Sequence, residues 1–346
     1  MTTLDRARLV TGGVDTHLEL NVAAALDALG GLLGVKEFPT TRAGHGALLR
    51  WMKSFGSVTR VGVEGTGSYG AGLARHLRVS GIEVLEVDRP NRQSRRRTGK
   101  SDPADAIEAA RAALSGRAQG AGKSRDGNVE AIRALVVAKR SCRSAKIKTL
   151  NQIRHLGFTA TDDLRERFEG VSRRRLAKEA ASMRPRAGSD PVTFATKTAL
   201  VILGRRVLAL DEEKKQLDSL LGELVEKTAP ELLALFGVGV DSAASLLVTA
   251  GDNPERIRSE SSWAHLCGVA PIPASSGKVT RYRLNRGGDR QANSALWVIV
   301  LARMSADPRT RAYVERRTKE GRSKGEIMRI LKRYVAREVY RHLPRA

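Results

Sequence analysis

Three observations predict an α/β layer followed by a mainly helical half. The segments VTGGVDT, ELNVAAALD and LLGVKEFP, within residues 10–37, alternate or run apolar, and Gly30-Gly31 marks a turn, so this stretch reads as a β-meander. Helical and strand patterns then alternate up to residue 115. From residue 128 onward long apolar-plus-charged periodicity takes over. Three strands followed by α-β-α-β-α is the order of a ribonuclease-H-like layer fold; it suits neither a TIM barrel nor a helix bundle.

After the meander, the pattern predicts a helix over 41–54, a strand over 60–65, a helix over 69–80, a strand over 82–87 and a helix over 102–115. The connection PNRQSRRRTGK is densely basic and leads directly into the acidic start of the last helix. Arg95, Arg96, Arg97 and Lys100 are therefore expected to contact phosphate. Residues 128–156 and 191–228 predict long helices, paired antiparallel or as a coiled coil. The basic, poorly periodic stretch between them is broken by Pro185 and Gly188 and reads as a helical spacer with a dimer contact. At PELLALFGVGVDSAASLLVTAGD the pattern of apolar helix, Gly-Val-Gly and apolar helix matches a helix-hairpin-helix, whose turn offers backbone N–H groups to phosphate. A Gly/Ser-rich segment and basic amphipathic helices complete the chain. The expected domains are 1–120 for the layer fold, 121–228 for the helical coiled-coil or dimerisation region and 229–346 for a mainly helical C-terminal domain.

Composition narrows the function. Lys+Arg total 61 against Asp+Glu 37, a formal net charge of +24, which is the footprint of a polyanion binder. Aromatics are only 4%, so stacking of bases on exposed rings is not the main binding mode. Arginine and lysine contacts to phosphate should dominate, with steep salt dependence. Cys142 and Cys267 stand far apart with no CxxC or Cys/His cluster, which argues against structural zinc and against a disulfide framework. The N-terminal MTTLDRARLV lacks the apolar core of a signal peptide, and ALWVIVLARM is too short to span a bilayer. A cytoplasmic protein is expected.

Four carboxylates stand out against the basic background. Asp15 and Glu64 end apolar strand segments, and Asp102 and Asp105 open a helix in KSDPADAIEAA. Acids at strand ends and a helix start can converge above a sheet, where a divalent metal over a phosphate gives them a purpose. Each has a plainer reading. Asp102-Pro103-Ala104-Asp105 fits an N-cap, a proline at N1 and an acid at N3. Asp15 fits a solvated strand end, Glu64 a helix cap, and His17 polar scaffold rather than a ligand. GTGSYG at 65–70 also satisfies GxGxxG, with Glu86 about 20 residues on. A dinucleotide site is disfavoured there, because the strand is the fourth of its domain and Glu64 would face an anionic pyrophosphate. Ser275 and Ser276 in ASSGK read, by themselves, as turn residues.

Six ordered motifs together resemble a known family. These are GVDTH, GVEGTGSYGAGLARHL with VLEVDRPNR, and GKSDPADAIEAA, then LFGVGVDSAASLLVTAGD, HLCGVAPIPASSGK and RLNRGGDRQANSALW. The chain resembles the Piv-type DNA invertases and related insertion-sequence transposases, described as bridge-RNA-guided recombinases. The resemblance implies a RuvC-like DEDD domain, a coiled coil and a C-terminal serine transposase domain. It implies Mg²⁺ binding by Asp15, Glu64, Asp102 and Asp105, with Ser276 as nucleophile and Ser275 its neighbour. It further implies a covalent serine–DNA intermediate followed by strand exchange on donor and target double-stranded DNA. A guide RNA, a homo-oligomeric dimer or tetramer and a nucleoid-associated location come with it. Arg281, Arg283 and Arg286, which flank Ser276 in a Gly-rich segment, are expected to contact phosphate. Two departures are modest: Leu18 stands where relatives often carry Lys, and ASSGK has one glycine where many have two. Competing expectations are a hydrolytic RuvC-like junction nuclease, in which Ser276 is inert, and a non-catalytic nucleic-acid binder, in which the acids are caps.

Overall fold

The computed structural model describes residues 9–87, 101–118, 120–279 and 281–344. These pack into two compact units, residues 9–127 with Ala250–Ser262, and Asn128–Thr249 with Trp263–Pro344. The first unit runs β1 (Leu9–Thr16), β2 (Leu20–Leu26), β3 (Leu32–Pro39), α1 (Arg42–Lys53), β4 (Ser57–Glu64), α2 (Ala71–Val79), β5 (Glu83–Val87), α3 (Asp102–Leu114) and β6 (Gly120–Ala121). Its sheet has the order β3-β2-β1-β4-β5-β6. The meander pairs antiparallel, while β1, β4 and β5 run parallel. This mixed sheet is compatible with a ribonuclease-H-like layer. The short antiparallel β6 on β5 is an addition that the sequence pattern does not reveal, because two residues carry no period.

Both faces of the central strands are covered, and side-chain alternation decides what faces what. Val10 and Val14 of β1, with Val61 and Val63 of β4, join Leu48, Met52, Leu73 and Leu77 of α1 and α2 in the larger core. The alternate positions, Gly13 and Gly62, face α3. A Cβ at Gly13 would overlap the backbone of Ala106 and Ala110, and one at Gly62 the carbonyl of Ala109. The two glycines therefore let α3 lie on the sheet at backbone contact, and its inner face is built of Ala106, Ala109, Ala110 and Ala113.

The second unit opens with two long helices, α4 (Asn128–Phe158) and α7 (Pro191–Thr228). Lys139 pairs with Asp218, and Lys146 with Asp211. The Cys142 thiol donates to Leu210 O at 3.1 Å. The ion-pair partner moves back from residue 218 to residue 211 as α4 advances from 139 to 146, so the two helices are antiparallel. Between them, α5 (Asp162–Phe168) and α6 (Leu176–Ala181) bury Leu164, Leu176 and Ala180 against Ile153 and Leu200. Then follow α8 (Pro230–Leu233), α9 (Val240–Ala250), α10 (Glu260–Leu266), β7 (Ile272–Pro273), β8 (Tyr282–Arg283), α11 (Arg290–Ala306), α12 (Pro308–Lys319) and α13 (Lys324–Arg341). In the stretch read as a helix-hairpin-helix, the first helix is only four residues long and the turn holds Gly237 at φ +79°. No helix among the described residues is long and apolar enough to cross a membrane.

The glycine contact makes a direct prediction. Gly13→Ala should lower the urea midpoint, with a loss of about 1–3 kcal/mol as expected for overpacking against backbone. An unchanged midpoint would mean that α3 can lift from the sheet at no cost.

Candidate metal centre and serine hairpin

Asp15 follows Val14 on β1, Glu64 follows Val63 on β4, and Val14 and Val63 are register partners in the parallel pair. The two acids therefore stand side by side at one end of the sheet. By alternation they share the face of Gly13 and Gly62, the face on which α3 lies. The Thr16 hydroxyl donates to Glu64 O at 2.8 Å and ties the two strand ends together. Asp15, Thr16, His17, Glu64, Gly65, Ser68 and Asp105 line one cavity of about 240 Å³. Asp15 and Asp105 are buried, at 7% and 5% exposure.

The cap of α3 differs from the sequence expectation by one residue. The N-cap is Ser101, whose side chain makes no capping bond, so Asp102 and Asp105 occupy the first and fourth helical positions. Asp102 also lines a neighbouring cavity with His17, Glu37 and Tyr69.

His17 joins the acids. Its Nε2 lies 3.1 Å from Asp15 Oδ2 and 3.4 Å from Asp102 Oδ2. Asp15, His17 and Asp102 each bring a ligand atom within 4.8 Å of the others. Glu64 and Asp105 line the cavity without entering that tightest triad. The signal for His17 was present in GVDTH, since residues two apart at a strand end share a face. Burial, chiefly, holds the Asp15 carboxyl above its ordinary pKa; Asp102 and Asp105 push it further up, and His17 opposes them. A buried acid among like charges is relieved by a cation, so the donor set fits a divalent metal.

Glu86, which completed the GxGxxG pattern, has protein partners. It accepts from the Thr66 hydroxyl at 2.8 Å and lies in the field of Arg78 and Arg256. Arg95, Arg96, Arg97 and Lys100 lie outside the described residues.

Ser275 and Ser276 sit on the exposed hairpin between β7 and β8, and their hydroxyls differ. The Ser275 hydroxyl accepts from Arg281 N at 3.1 Å and donates to Arg281 O at 3.4 Å. Ser276 pairs through its backbone with Val279 across Gly277-Lys278, with Gly277 at φ +56° as a glycine-first hairpin turn requires. Its hydroxyl has no hydrogen-bond partner among the described residues. Arg281, Arg283 and Arg286 are all exposed.

The feet of this hairpin are clamped by residues that the sequence reading did not single out. Asn293 Nδ2 donates to Cys267 O and Gly268 O at 3.0 and 3.1 Å, and its Oδ1 accepts from Lys332 at 2.7 Å. Asn285 Nδ2 donates to His265 O at 3.0 Å. Gly288 packs so closely on Gly268 that a Cβ would overlap its backbone. Lys332 lies 39 residues from Asn293, so no local pattern announces the pair.

A mixed sheet with acids gathered at one end of its parallel strands is compatible with a ribonuclease-H-like layer whose acids suit a divalent metal. Residues 12–156 match a transposase family of the DEDD type associated with IS110, and residues 229–315 match the transposase family IS116/IS110/IS902. Two stretches of the chain are thus similar to transposase domains of the IS110/IS116/IS902 group. It is 33% identical over 136 residues to an uncharacterized 43.6 kDa protein of insertion element IS110 from Streptomyces coelicolor, covering 38% of this chain and 33% of that protein. It is 29% identical over 128 residues to an uncharacterized 42 kDa protein of insertion element IS900 from Mycobacterium paratuberculosis, covering 36% and 32%. The matched part spans about a third of the length of each of these relatives.

Asn293→Ala should loosen the hairpin's feet. Losing these bonds costs about 1–3 kcal/mol locally, so amide exchange over residues 265–289 should accelerate roughly five- to hundred-fold. Exchange at the parental rate would show that the clamp holds nothing.

Proposed function

We propose that this chain is a DNA transposase/recombinase of a mobile element. In this reading Asp15, Glu64, Asp102 and Asp105 hold Mg²⁺, and Ser276 is the nucleophile. The observation that carries the metal role is the single cavity shared by Asp15, Glu64 and Asp105, with His17 bridging Asp15 to Asp102, in a chain with IS110-family transposase domains. A bound divalent cation would supply charge stabilisation at a phosphodiester under attack. The choice of Ser276 over Ser275 is supported by their hydroxyls, since the Ser275 oxygen is engaged with the Arg281 backbone.

In the proposed reaction the Ser276 Oγ forms a bond to phosphorus as the bond from phosphorus to a deoxyribose oxygen breaks. The serine proton leaves, and the departing deoxyribose oxygen takes up a proton. Attack by a hydroxyl of the partner strand reverses these bonds, restores the serine and conserves the phosphodiester. Arg95, Arg96, Arg97, Lys100, Arg281, Arg283 and Arg286 hold DNA phosphates. A bridge RNA selects donor and target DNA, and an even assembly, a dimer or tetramer, serves two duplexes. The protein works in the cytoplasm on nucleoid DNA.

The test incubates the full chain with Mg²⁺, substrate DNA and co-purifying RNA, then resolves protein–DNA adducts on a denaturing gel. Ser276→Ala should abolish the adduct, while Ser275→Ala should retain it. Asp15→Asn, or a chelator, should reduce it by about a hundredfold or more, as expected when several kcal/mol of charge stabilisation is lost. An undiminished adduct with Ser276→Ala would refute the nucleophile. Cut ends without adduct would establish the hydrolytic nuclease instead. DNA binding indifferent to Mg²⁺ and to Asp15→Asn, with no cleavage, would leave only a binding protein. Random cellular RNA in the preparation would count against a guide.

A further inference from the structure

A cavity of about 280 Å³ opens between α4, α9 and α11, wholly within the second unit. Its cationic wall is α4. Lys139, Arg140 and Arg143 line it, and spacings of three and four residues put them on one helical face. Lys139 is neutralised by Asp218 and Asp241. Arg140 and Arg143 have neither an ion pair nor a side-chain hydrogen bond among the described residues. The facing wall is the first turn of α9, which follows Gly237-Val238-Gly239. Ala243 N donates to Gly239 O at 2.9 Å. The amides of Val240, Asp241 and Ser242 precede that bond and have no acceptor among the described residues. Ser242 supplies an observation independent of the helix end. It is only 7% exposed and lines the cavity, and its hydroxyl has no hydrogen-bond partner among the described residues. The Ser245 hydroxyl, one turn on, donates back to Asp241 O at 2.9 Å, which is how a helical serine satisfies itself. Ser242 does not, and a buried polar group without a partner costs stability.

The donor set selects the ligand. Guanidinium groups and amides only donate, and the hydroxyl can donate with them. Donors converging from two helices call for one group with several acceptor oxygens and negative charge. Phosphate meets that need, since guanidinium forks match its oxygens and a helix N-terminus favours its charge. The acid that lines the site, Asp241, opposes an anion, and its charge is offset by Lys139. The volume falls just below the roughly 300–1,000 Å³ of pockets that enclose a drug-sized ligand, so it admits one phosphate with little attached. Gln291 and Ser294 of α11, both exposed, complete the rim with groups that donate and accept, as a sugar on that phosphate requires. The sequence pattern places phosphate at the glycine turn alone; the arginines that complete the site come from α4, far earlier in the chain. We propose that the cavity between α4, α9 and α11 is a metal-independent binding site for the phosphate of a sugar-phosphate group, held by Ser242, Arg140, Arg143 and the first-turn amides of α9.

The test uses the full chain in EDTA. Without metal no cleavage enters, so the result stands apart from the roles proposed for the acids and Ser276. Phenylglyoxal modification of Arg140 and Arg143, read by mass spectrometry, should be slowed by inorganic phosphate and by adenosine 5′-monophosphate, but not by adenosine. Equal protection by adenosine, or none by either phosphate, would overturn the proposal. A short oligonucleotide without terminal phosphates separates the sources. Protection by it assigns the phosphate to a strand's backbone, and protection by the monophosphate alone assigns it to a free phosphomonoester. Ser242→Ala should raise the Kd for inorganic phosphate, measured by calorimetry, roughly ten-fold, as the loss of a hydrogen bond to a charged group does. Asp241→Asn removes the acid that opposes the anion and should lower that Kd, a gain that misfolding cannot mimic. The parental Kd in Ser242→Ala, or a Kd not lowered in Asp241→Asn, would equally overturn the site.

Discussion

Helix α3 touches the sheet backbone to backbone because β1 and β4 present glycine where they pass beneath it. Gly13 and Gly62 leave no room for a side chain between strand and helix. Each glycine in a strand costs roughly 0.5–1 kcal/mol relative to alanine, and the tight alanine packing above them offsets that cost. The consequence is positional. With α3 seated this low, its first turn arrives at the level of the strand ends, and Asp105 enters the cavity that Asp15 and Glu64 already border. A bulkier spacer would lift the helix and separate the acids. The second unit uses the same device, with Gly204 of α7 seated on the backbone of Ala177 and Ala181.

The layer was legible because its strands and helices carry opposite periods over sufficient length. The expected helix over 41–54 is Arg42–Lys53, and the two long helices begin where their periodicity begins. What escaped was short or tertiary. The stretch between the long helices read as a helical spacer, but the bounds of α5 and α6 escaped, because their apolar residues gain meaning only against Ile153 and Leu200. The cap of α3 was displaced by one residue, since Ser101 and Asp102 are both good N-caps and only the backbone decides between them.

The acids were legible as residue types, and their convergence needed the register. Asp15 and Glu64 share a face only if β1 and β4 run parallel with Val14 beside Val63. A one-residue slip would turn one of them to the other side of the sheet. The difference between the Ser275 and Ser276 hydroxyls lay outside the sequence, because it depends on which one the Arg281 backbone captures across the hairpin. The Asn293–Lys332 clamp was equally hidden, joining residues on different helices.

Charge compensation is uneven in this basic chain. Several acids of the described residues have a basic partner. Glu130 meets Arg133, Asp211 meets Lys146, and Asp218 meets both Lys139 and Lys214. At Asp15 the charges that bear are instead Asp102, Asp105 and a single histidine. Holding like charges together costs stability, and the strand ends and the first turn of α3 keep Asp15, Asp102 and Asp105 from spreading apart. A divalent cation among them would turn that cost into a favourable interaction.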